Sequence, residues 1–344
     1  MAARDVEFVE LYTADAKATV NHYADAFGFT PVAKAIGPGT ETLLLRQGTV
    51  QIAVTAGPAL AAYLDVHGDG IADIALSCDD AEATWHSAIA AGARPVTVGA
   101  GLRAVSGFGD VRHTLLPAGR PNGPRRLPPG RDWIAVTSRT PSADAAHIAG
   151  LDHVAACLEA GSLEDYVRLY IDGFGMHRYS GEYVSFADQA MDSVVVRSAG
   201  GGATFTLIEP DRKKQAGQID AFLDGNSGPG VQHLAFLVDE IVAAVAELGE
   251  RGVNFLSTPA TYYDLLLGRF PDLADQVGRL RAANVLVDRD EWGELLQIFT
   301  RSPFARNTLF SELIQRRGSR GFGANNIKAL YEAVEFDRAA AARG

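Results

Sequence analysis

Two histidines sit in strand-like runs whose neighbours two positions away are apolar. Leu151 and Ala155 flank His153 in LDHVAACL, and Val231 and Ala235 flank His233 in GVQHLAF. The two-residue period of a strand turns both imidazoles toward one interior face. A lone strand histidine is more often a hydrogen-bonded core or surface residue than a ligand; two at matching places in related halves of one module point to convergence. A third donor stands in TLFSELIQR, where Glu312 shares a face with Phe310 and Ile314. Burying that carboxylate alone is costly, and a cation removes the cost. The separations, 80 residues from His153 to His233 and 79 from His233 to Glu312, suit three distant strands rather than a local motif. Two imidazoles and one carboxylate leave the far side of a metal open, as in non-haem Fe(II) enzymes that activate O2, with zinc the second candidate. An α-keto acid anion chelating such an Fe(II) centre brings the local charge near zero without an arginine clamp.

The elements that must position these groups come as a duplicated pattern. VEFVELYT near the start matches LDHVAACL at 151, GDGIADIALSCDDAEATWHSAIAAGARPV matches GPGVQHLAFLVDEIVAAVAELGERGVNFL, and FGDVRHTLL is paired with WGELLQIFT. Phe8 then falls at the place of His153, Asp73 at that of His233, and His113 at that of Gln297, so only the later copy carries the histidine pair. TLLLRQGTVQIAVT and SVVVRSAGGGATFTLIEP read as hairpins, and DAEATWHSAIAAGA and DEIVAAVAELGERG as helices closed by Gly92 and Gly252. Added length in the second copy, including TPATYYDLLLGRF, reads as functional loops, and NIKALYEAVEFDRAAAA as a C-terminal helix presenting Ile327, Leu330, Tyr331 and Val334. PAGRPNGPRRLPPG reads as a linker. The expected organisation is a structural domain at 1–117, a linker at 118–147 and a metal-bearing domain at 148–344.

With 344 residues, 47% of them hydrophobic, the chain is long enough to bury the cores of two domains. A formal charge of −11 argues against a nucleic-acid surface, and Arg120, Arg125, Arg126 and Arg131 lie among Pro and Gly, as in a solvated linker. Only Cys78 and Cys157 are present, so no disulfide framework is expected. No signal-like start and no membrane-length apolar run is seen, which gives a soluble, cytoplasmic expectation without a membrane partner. Exposed sheet edges make a homodimer an open expectation. Glu209, Asp211 and Arg212 read as a solvated turn, and His22, His67, His86, His113, His147 and His177 receive no role.

GVQHLAF, LLQIFT, LFSELIQRRG, GFGANNIKALYEAVE and TPATYY together resemble the 4-hydroxyphenylpyruvate dioxygenase family of the vicinal oxygen chelate fold, over essentially the whole chain and most strongly from 150 to 335. The resemblance implies an α+β protein of two tandem vicinal-oxygen-chelate domains, each of paired βαβββ units forming a curved open sheet barrel. It implies Fe(II) held by His153, His233 and Glu312, polar pocket residues Ser193, Gln218, Gln297 and Asn326, and aromatic walls Phe299, Phe310 and Phe322.

Three positions depart from the homogentisate-forming pattern. TLIEP stands where PxNEP is usual, placing Thr206 and Ile208 at the Pro and Asn positions; NNI stands for GNF, placing Ile327 where a phenylalanine packs on the substrate. These resemble the hydroxymandelate-forming branch of the family. The implied reaction takes 4-hydroxyphenylpyruvate and O2 to 4-hydroxymandelate and CO2 by decarboxylation and benzylic hydroxylation, with homogentisate formation as the alternative. A metal-dependent lyase, isomerase or extradiol dioxygenase, and a non-enzymatic small-molecule binder, are the further readings that this fold supports.

Overall fold

Period-two patterning decides where each side chain goes. In GVQHLAFLV, Leu234, Phe236 and Val238 are buried in the main core, while His233 and Ala235 alternate with them onto the other face. The same holds in LDHVAACL, where Val154 and Ala156 enter the main core and His153, Ala155 and Cys157 face away from it. The structure is a computed structural model and describes residues 2–119, 126–136, 148–186, 188–323 and 325–328.

The first sheet contains β1 (Ala3–Tyr12), β2 (Thr30–Gly37), β3 (Thr40–Gln47), β4 (Val50–Ala56), β5 (Gly70–Cys78), β6 (Pro95–Thr97), β7 (Arg103–Ser106), β8 (Arg112–Pro117) and β9 (Ile134–Ala135), in spatial order β6-β7-β8-β5-β1-β4-β3-β2-β9. The second contains β10 (Ile148–Cys157), β11 (His177–Phe186), β12 (Gln189–Arg197), β13 (Thr204–Pro210), β14 (Gly230–Val238), β15 (Leu286–Arg289), β16 (Glu294–Phe299) and β17 (Phe310–Arg317), in order β11-β12-β13-β10-β14-β17-β16-β15. Each sheet is two βαβββ units joined through an antiparallel central pair, β1 with β5 and β10 with β14. This is a tandem vicinal oxygen chelate architecture of α+β class. Helices α1 (Ala16–Asn21), α2 (Ala61–His67) and α3 (Ala81–Ala90) connect strands of the first sheet; α4 (Leu163–Arg168), α5 (Gln218–Asn226), α6 (Ile241–Glu250), α7 (Ala260–Arg269) and α8 (Ala274–Ala282) those of the second. Asp80 caps α3 by accepting from Ala83 N at 2.9 Å, and Gly92 and Gly252 follow α3 and α6 at φ +107° and +97°, a conformation that suits glycine. None of the described helices is long and apolar enough to cross a membrane.

One core runs through both sheets. Phe27 and Phe29 of the first half meet the Phe236 ring at 6.0 and 5.8 Å between centroids, and buried His113 lies 2.7 Å from the Tyr170 hydroxyl. His67, on α2, bonds the Asn226 carbonyl at 2.7 Å.

Three sequence expectations are corrected. First, β8 occupies the place of β17, not of β16: Asp73 is opposite Arg112 on β8 as His233 is opposite Phe310 on β17, so His113 corresponds to Ser311 and Thr114 to Glu312. Both strands run parallel to the central strand beside them, which local similarity to WGELLQIFT does not encode. Second, TYYDLLLGRF is helix α7 rather than loop, followed by α8. Third, Glu209 is no solvated turn residue: its carboxylate accepts from Gly161 N and Leu163 N at 2.7 and 2.9 Å. In the expected linker, residues 134–135 add an edge strand to β2. Most of that linker, with Arg120, Arg125 and His147, lies outside the described residues, as do Leu330, Tyr331 and Val334 of the expected terminal helix; residues 325–328 form a helical turn.

Candidate metal centre

Register brings the three donors together. β10, β14 and β17 are adjacent, with His153 opposite Ala235, Ala155 opposite His233, and Ala235 opposite Glu312. His153 and Glu312 therefore flank one residue of the central strand, Ala235, and His233 lies two positions before it on the same face. All three are buried, at 4, 7 and 3% exposure. His153 Nε2 lies 3.4 Å from His233 Nε2, and Glu312 Oε2 is 3.5 and 3.3 Å from those two nitrogens. A near-equilateral triangle of that size has its corners roughly 2.0 Å from a common point, a metal–nitrogen or metal–oxygen bond length. The donor set fits a divalent ion, and among the described residues it is the one such group of three.

The backs of the imidazoles are held differently. His153 Nδ1 is 2.9 Å from Asp152 Oδ1; a carboxylate only accepts, so Nδ1 carries the proton and Nε2 keeps its lone pair. Asp152 also accepts from Arg316 Nε and Nη2 at 2.6 and 2.8 Å. Burial alone would raise the Asp152 carboxyl, but the bonds from Arg316 and His153 outweigh it and hold the group below the usual carboxylate range. His233 Nδ1 has a neutral partner, Gln232 Oε1 at 3.2 Å, and burial lowers its pKa despite Glu312 nearby. Burying neutral imidazole favours ligation, since a protonated ring offers no lone pair.

Aromatic rings enclose the centre. Phe310 stacks on His233 at 5.0 Å, Phe299 meets the same ring edge-on at 5.9 Å, and Phe322 meets His153 edge-on at 5.2 Å. Phe299 is opposite Glu312, and Gln297, two residues back, shares its face. Gln297 is 1% exposed and its amide has no hydrogen-bond partner. Gly323 presses on that amide at φ +77°, where a Cβ would come within 2.2 Å of Oε1. Buried Asn326 accepts from the Tyr262 hydroxyl at 2.9 Å and leaves Nδ2 unpaired, and the Thr206 hydroxyl is likewise unpaired. Unpaired buried polar atoms are costly, and a polar ligand removes the cost.

Ser193 and Gln218 are placed differently. The Ser193 hydroxyl donates to the Glu182 carbonyl at 3.0 Å, and Gln218, first in α5, is exposed beside Met191 and Ile219. Ile208 packs with Ala155, Cys157, Ile219 and Phe222. Ile327 is half-buried in the turn at 325–328, its amide bonded to the Gly323 carbonyl at 3.2 Å. Sequence reading missed Asp152, Arg316 and Tyr262; adjacency to His153 was the one signal for Asp152.

Residues 1–113 match the family model described as hydroxyphenylpyruvate dioxygenase, N-terminal, and residues 150–298 match that of the glyoxalase, bleomycin resistance protein and dioxygenase superfamily. The 4-hydroxyphenylpyruvate dioxygenase of Yarrowia lipolytica is 30% identical over 98% of this chain and 92% of its own length, and that of Neurospora crassa 32% over 80% and 71%. The chain belongs to the 4-hydroxyphenylpyruvate dioxygenase family. Membership makes it a dioxygenase, and the His153, His233 and Glu312 face is where that family's metal dependence fits. A solved triple mutant of 4-hydroxymandelate synthase from Streptomyces coelicolor is similar at 48% identity and TM-score 0.87, covering 98% of this chain and 100% of the other. A fusion protein joining a xylose isomerase-like TIM barrel to a 4-hydroxyphenylpyruvate dioxygenase is similar at 27% identity and TM-score 0.77, with 96% of this chain and 52% of that one covered.

Proposed function

We propose that the protein is an Fe(II)-dependent oxygenase that converts 4-hydroxyphenylpyruvate and O2 to 4-hydroxymandelate and CO2. The similarity to a solved 4-hydroxymandelate synthase, at 48% identity over 98% of this chain, supports this reading. Ferrous iron, when bound by His153, His233 and Glu312, supplies O2 activation and leaves a face for a chelating keto acid. The observation that carries the choice of product is the apolar wall at Ile208. It is 8% exposed among apolar side chains, on the strand whose Thr206 is opposite Ala155, itself opposite His233.

An amide at this wall would offer the substrate a hydrogen bond; a branched alkyl group offers only shape. With Ile327 in place of a flat ring on the terminal turn, the pocket holds the substrate without a stacking partner there, and the benzylic CH2 rather than the ring carbon is set nearest the reacting centre. Gln297, Asn326 and Thr206 supply unpaired polar atoms for the substrate's polar ends, and Phe299, Phe310 and Phe322 exclude water. Ser193 and Gln218 act from the outer part of the pocket.

The test is an anaerobic preparation loaded with Fe(II), given 4-hydroxyphenylpyruvate and then O2, with products separated by chromatography. One CO2 released and one 4-hydroxymandelate formed per O2 is the expected result. Homogentisate as the main product overturns the assignment in favour of ring hydroxylation, and absence of O2 uptake overturns the keto-acid reading.

A further inference from the structure

One guanidinium joins the metal-facing histidine to the wall that covers it. Arg316 Nε and Nη2 grip both oxygens of Asp152, whose Oδ1 faces His153 Nδ1. Its remaining nitrogen, Nη1, donates to the carbonyls of Gly321 at 2.7 Å and Ser319 at 3.3 Å. The same guanidinium lies 4.9 Å from the Phe322 ring centroid, and that ring in turn meets His153 edge-on. The contacts close a cycle from His153 through Asp152, Arg316 and Gly321 to Phe322 and back to His153. The turn that carries Phe322 has a second anchor outside the cycle, because Asp290 accepts from Ser319 Oγ, Arg320 N and Gly321 N at 2.7 to 2.8 Å.

We propose that Arg316 is a positioning residue that fixes the His153 imidazole and the Phe322 wall in one register, coupling metal affinity to closure of residues 318–322. The inference rests on the metal-site reading above and extends it to two residues that touch neither metal nor substrate. Rotation of His153 away from the donor triangle requires Asp152 to move, and Asp152 is held at both oxygens by a planar fork whose other edge is committed to the loop. Coupling through a shared group is reciprocal: if an ordered loop favours metal binding, bound metal orders the loop by the same factor. His233 has no such link, because its Nδ1 faces a neutral amide.

Arg316 also opens onto a cavity of about 290 Å³ lined by Asp152, Tyr179, Arg197, Thr204 and Arg320, so a shorter side chain there leaves room for water. Cobalt(II) is the probe, followed by its visible absorbance and by competition with a chelator, and amide hydrogen exchange of residues 318–322 is read with and without it. In the unaltered protein, cobalt binds stoichiometrically and slows exchange in that loop. Asp152→Asn is expected to weaken cobalt about 10- to 100-fold and to abolish the cobalt-dependent protection. Arg316→Lys keeps a charge opposite Asp152 but not the fork. It should recover much of the affinity lost in Arg316→Met while leaving the loop unprotected.

Cobalt affinity within about twofold of the unaltered protein in Asp152→Asn, or cobalt-dependent loop protection intact in Arg316→Lys, overturns the coupling. Should Arg316→Met fail to fold, these two variants decide alone. Failure of the unaltered protein to bind cobalt is a different outcome: it overturns the metal site itself, and the coupling with it.

Discussion

The two sheets share a topology and treat their polar interior groups in opposite ways. By register, the places of His153, His233 and Glu312 in the first sheet are taken by Phe8, Asp73 and Thr114. Asp73 is fully engaged: it accepts from Thr114 N and Oγ1 at 3.0 and 2.6 Å and from Arg112 Nε at 2.8 Å. Glu10, at the place of Ala155, accepts from Thr55, Arg112 and Arg131. Arg131 belongs to the segment whose Trp133 packs on the apolar cluster around Phe8, so the first cup is filled by its own chain. In the second cup Gln297, Asn326 and Thr206 keep unpaired atoms. Polar groups that satisfy one another stabilise a fold, and buried groups left unpaired carry a cost that a polar ligand would remove.

The largest expected effect separates the cups outright. Glu312→Ala, or alanine at either histidine, should remove stoichiometric metal and all O2 uptake, because two remaining donors on a rigid sheet do not hold a divalent ion against water. Asp73→Asn in the first cup should leave metal content unchanged. Metal analysis of the purified variants, with O2-electrode traces, checks both halves, and metal loss in Asp73→Asn would break the division of labour.

Next comes the ionic filling of the first cup. Arg112→Met leaves buried Glu10 and Asp73 short of a cation, which should cost on the order of 3 kcal/mol of stability. Cobalt affinity should stay within about twofold, since the sites share no partner. Urea unfolding with and without metal reads the two quantities together.

The convergence of His153, His233 and Glu312 on one face was legible because strands have a period of two, which turns all three toward the cup. Helices α3 and α6 were visible for a similar reason, each with an apolar face and a closing glycine. Residues that act across the chain were not visible. The Arg316 to Asp152 ion pair spans 164 positions, and nothing local to LIQRR distinguishes this arginine from a solvated one. The equivalence of β8 with β17 is set by which strand lies parallel to the central pair, a choice made by packing. Helix α7 was hidden because Thr-Pro opens it and its apolar residues, Tyr262, Tyr263 and Leu266, are matched by exposed Leu265.

A subtler contrast lies where the sheets meet. His113 is buried, close to the Ile74 carbonyl at 3.0 Å and the Tyr170 hydroxyl, and burial pushes its pKa down from 6.5 to about 4. Between those values the unfolded chain binds a proton that the folded protein refuses, so stability is full above pH 6.5 and falls as pH drops toward 4. The loss should reach a few kcal/mol. His22, lowered to about 4 by burial, adds to the same slope. Melting temperature against pH should therefore fall less steeply between 6.5 and 4 in His113→Gln than in the unaltered protein; equal slopes would show that the junction does not carry this proton linkage.

The smallest effect in free energy concerns the one wall where the contrast between the cups is inverted. Register places Thr55 of the first cup at the position of Ile208, and Thr42 at that of Ser193. Thr55 is polar and bonded to Glu10, whereas Ile208 is apolar beside the site that binds ligand. If metal and substrate ends are fixed elsewhere, this wall decides only which substrate carbon lies nearest the reacting centre. Displacements of about 1 Å there change rates by roughly a hundredfold, equivalent to under about 3 kcal/mol. Ile208→Asn with Ile327→Phe restores an amide and a flat ring, and should move product from 4-hydroxymandelate toward homogentisate while metal affinity stays unaltered. Product ratio by chromatography is the measurement. A ratio unchanged in the double variant would mean that the wall does not choose the product, and that the selecting contact lies on the β16 side, at Gln297 or Phe299.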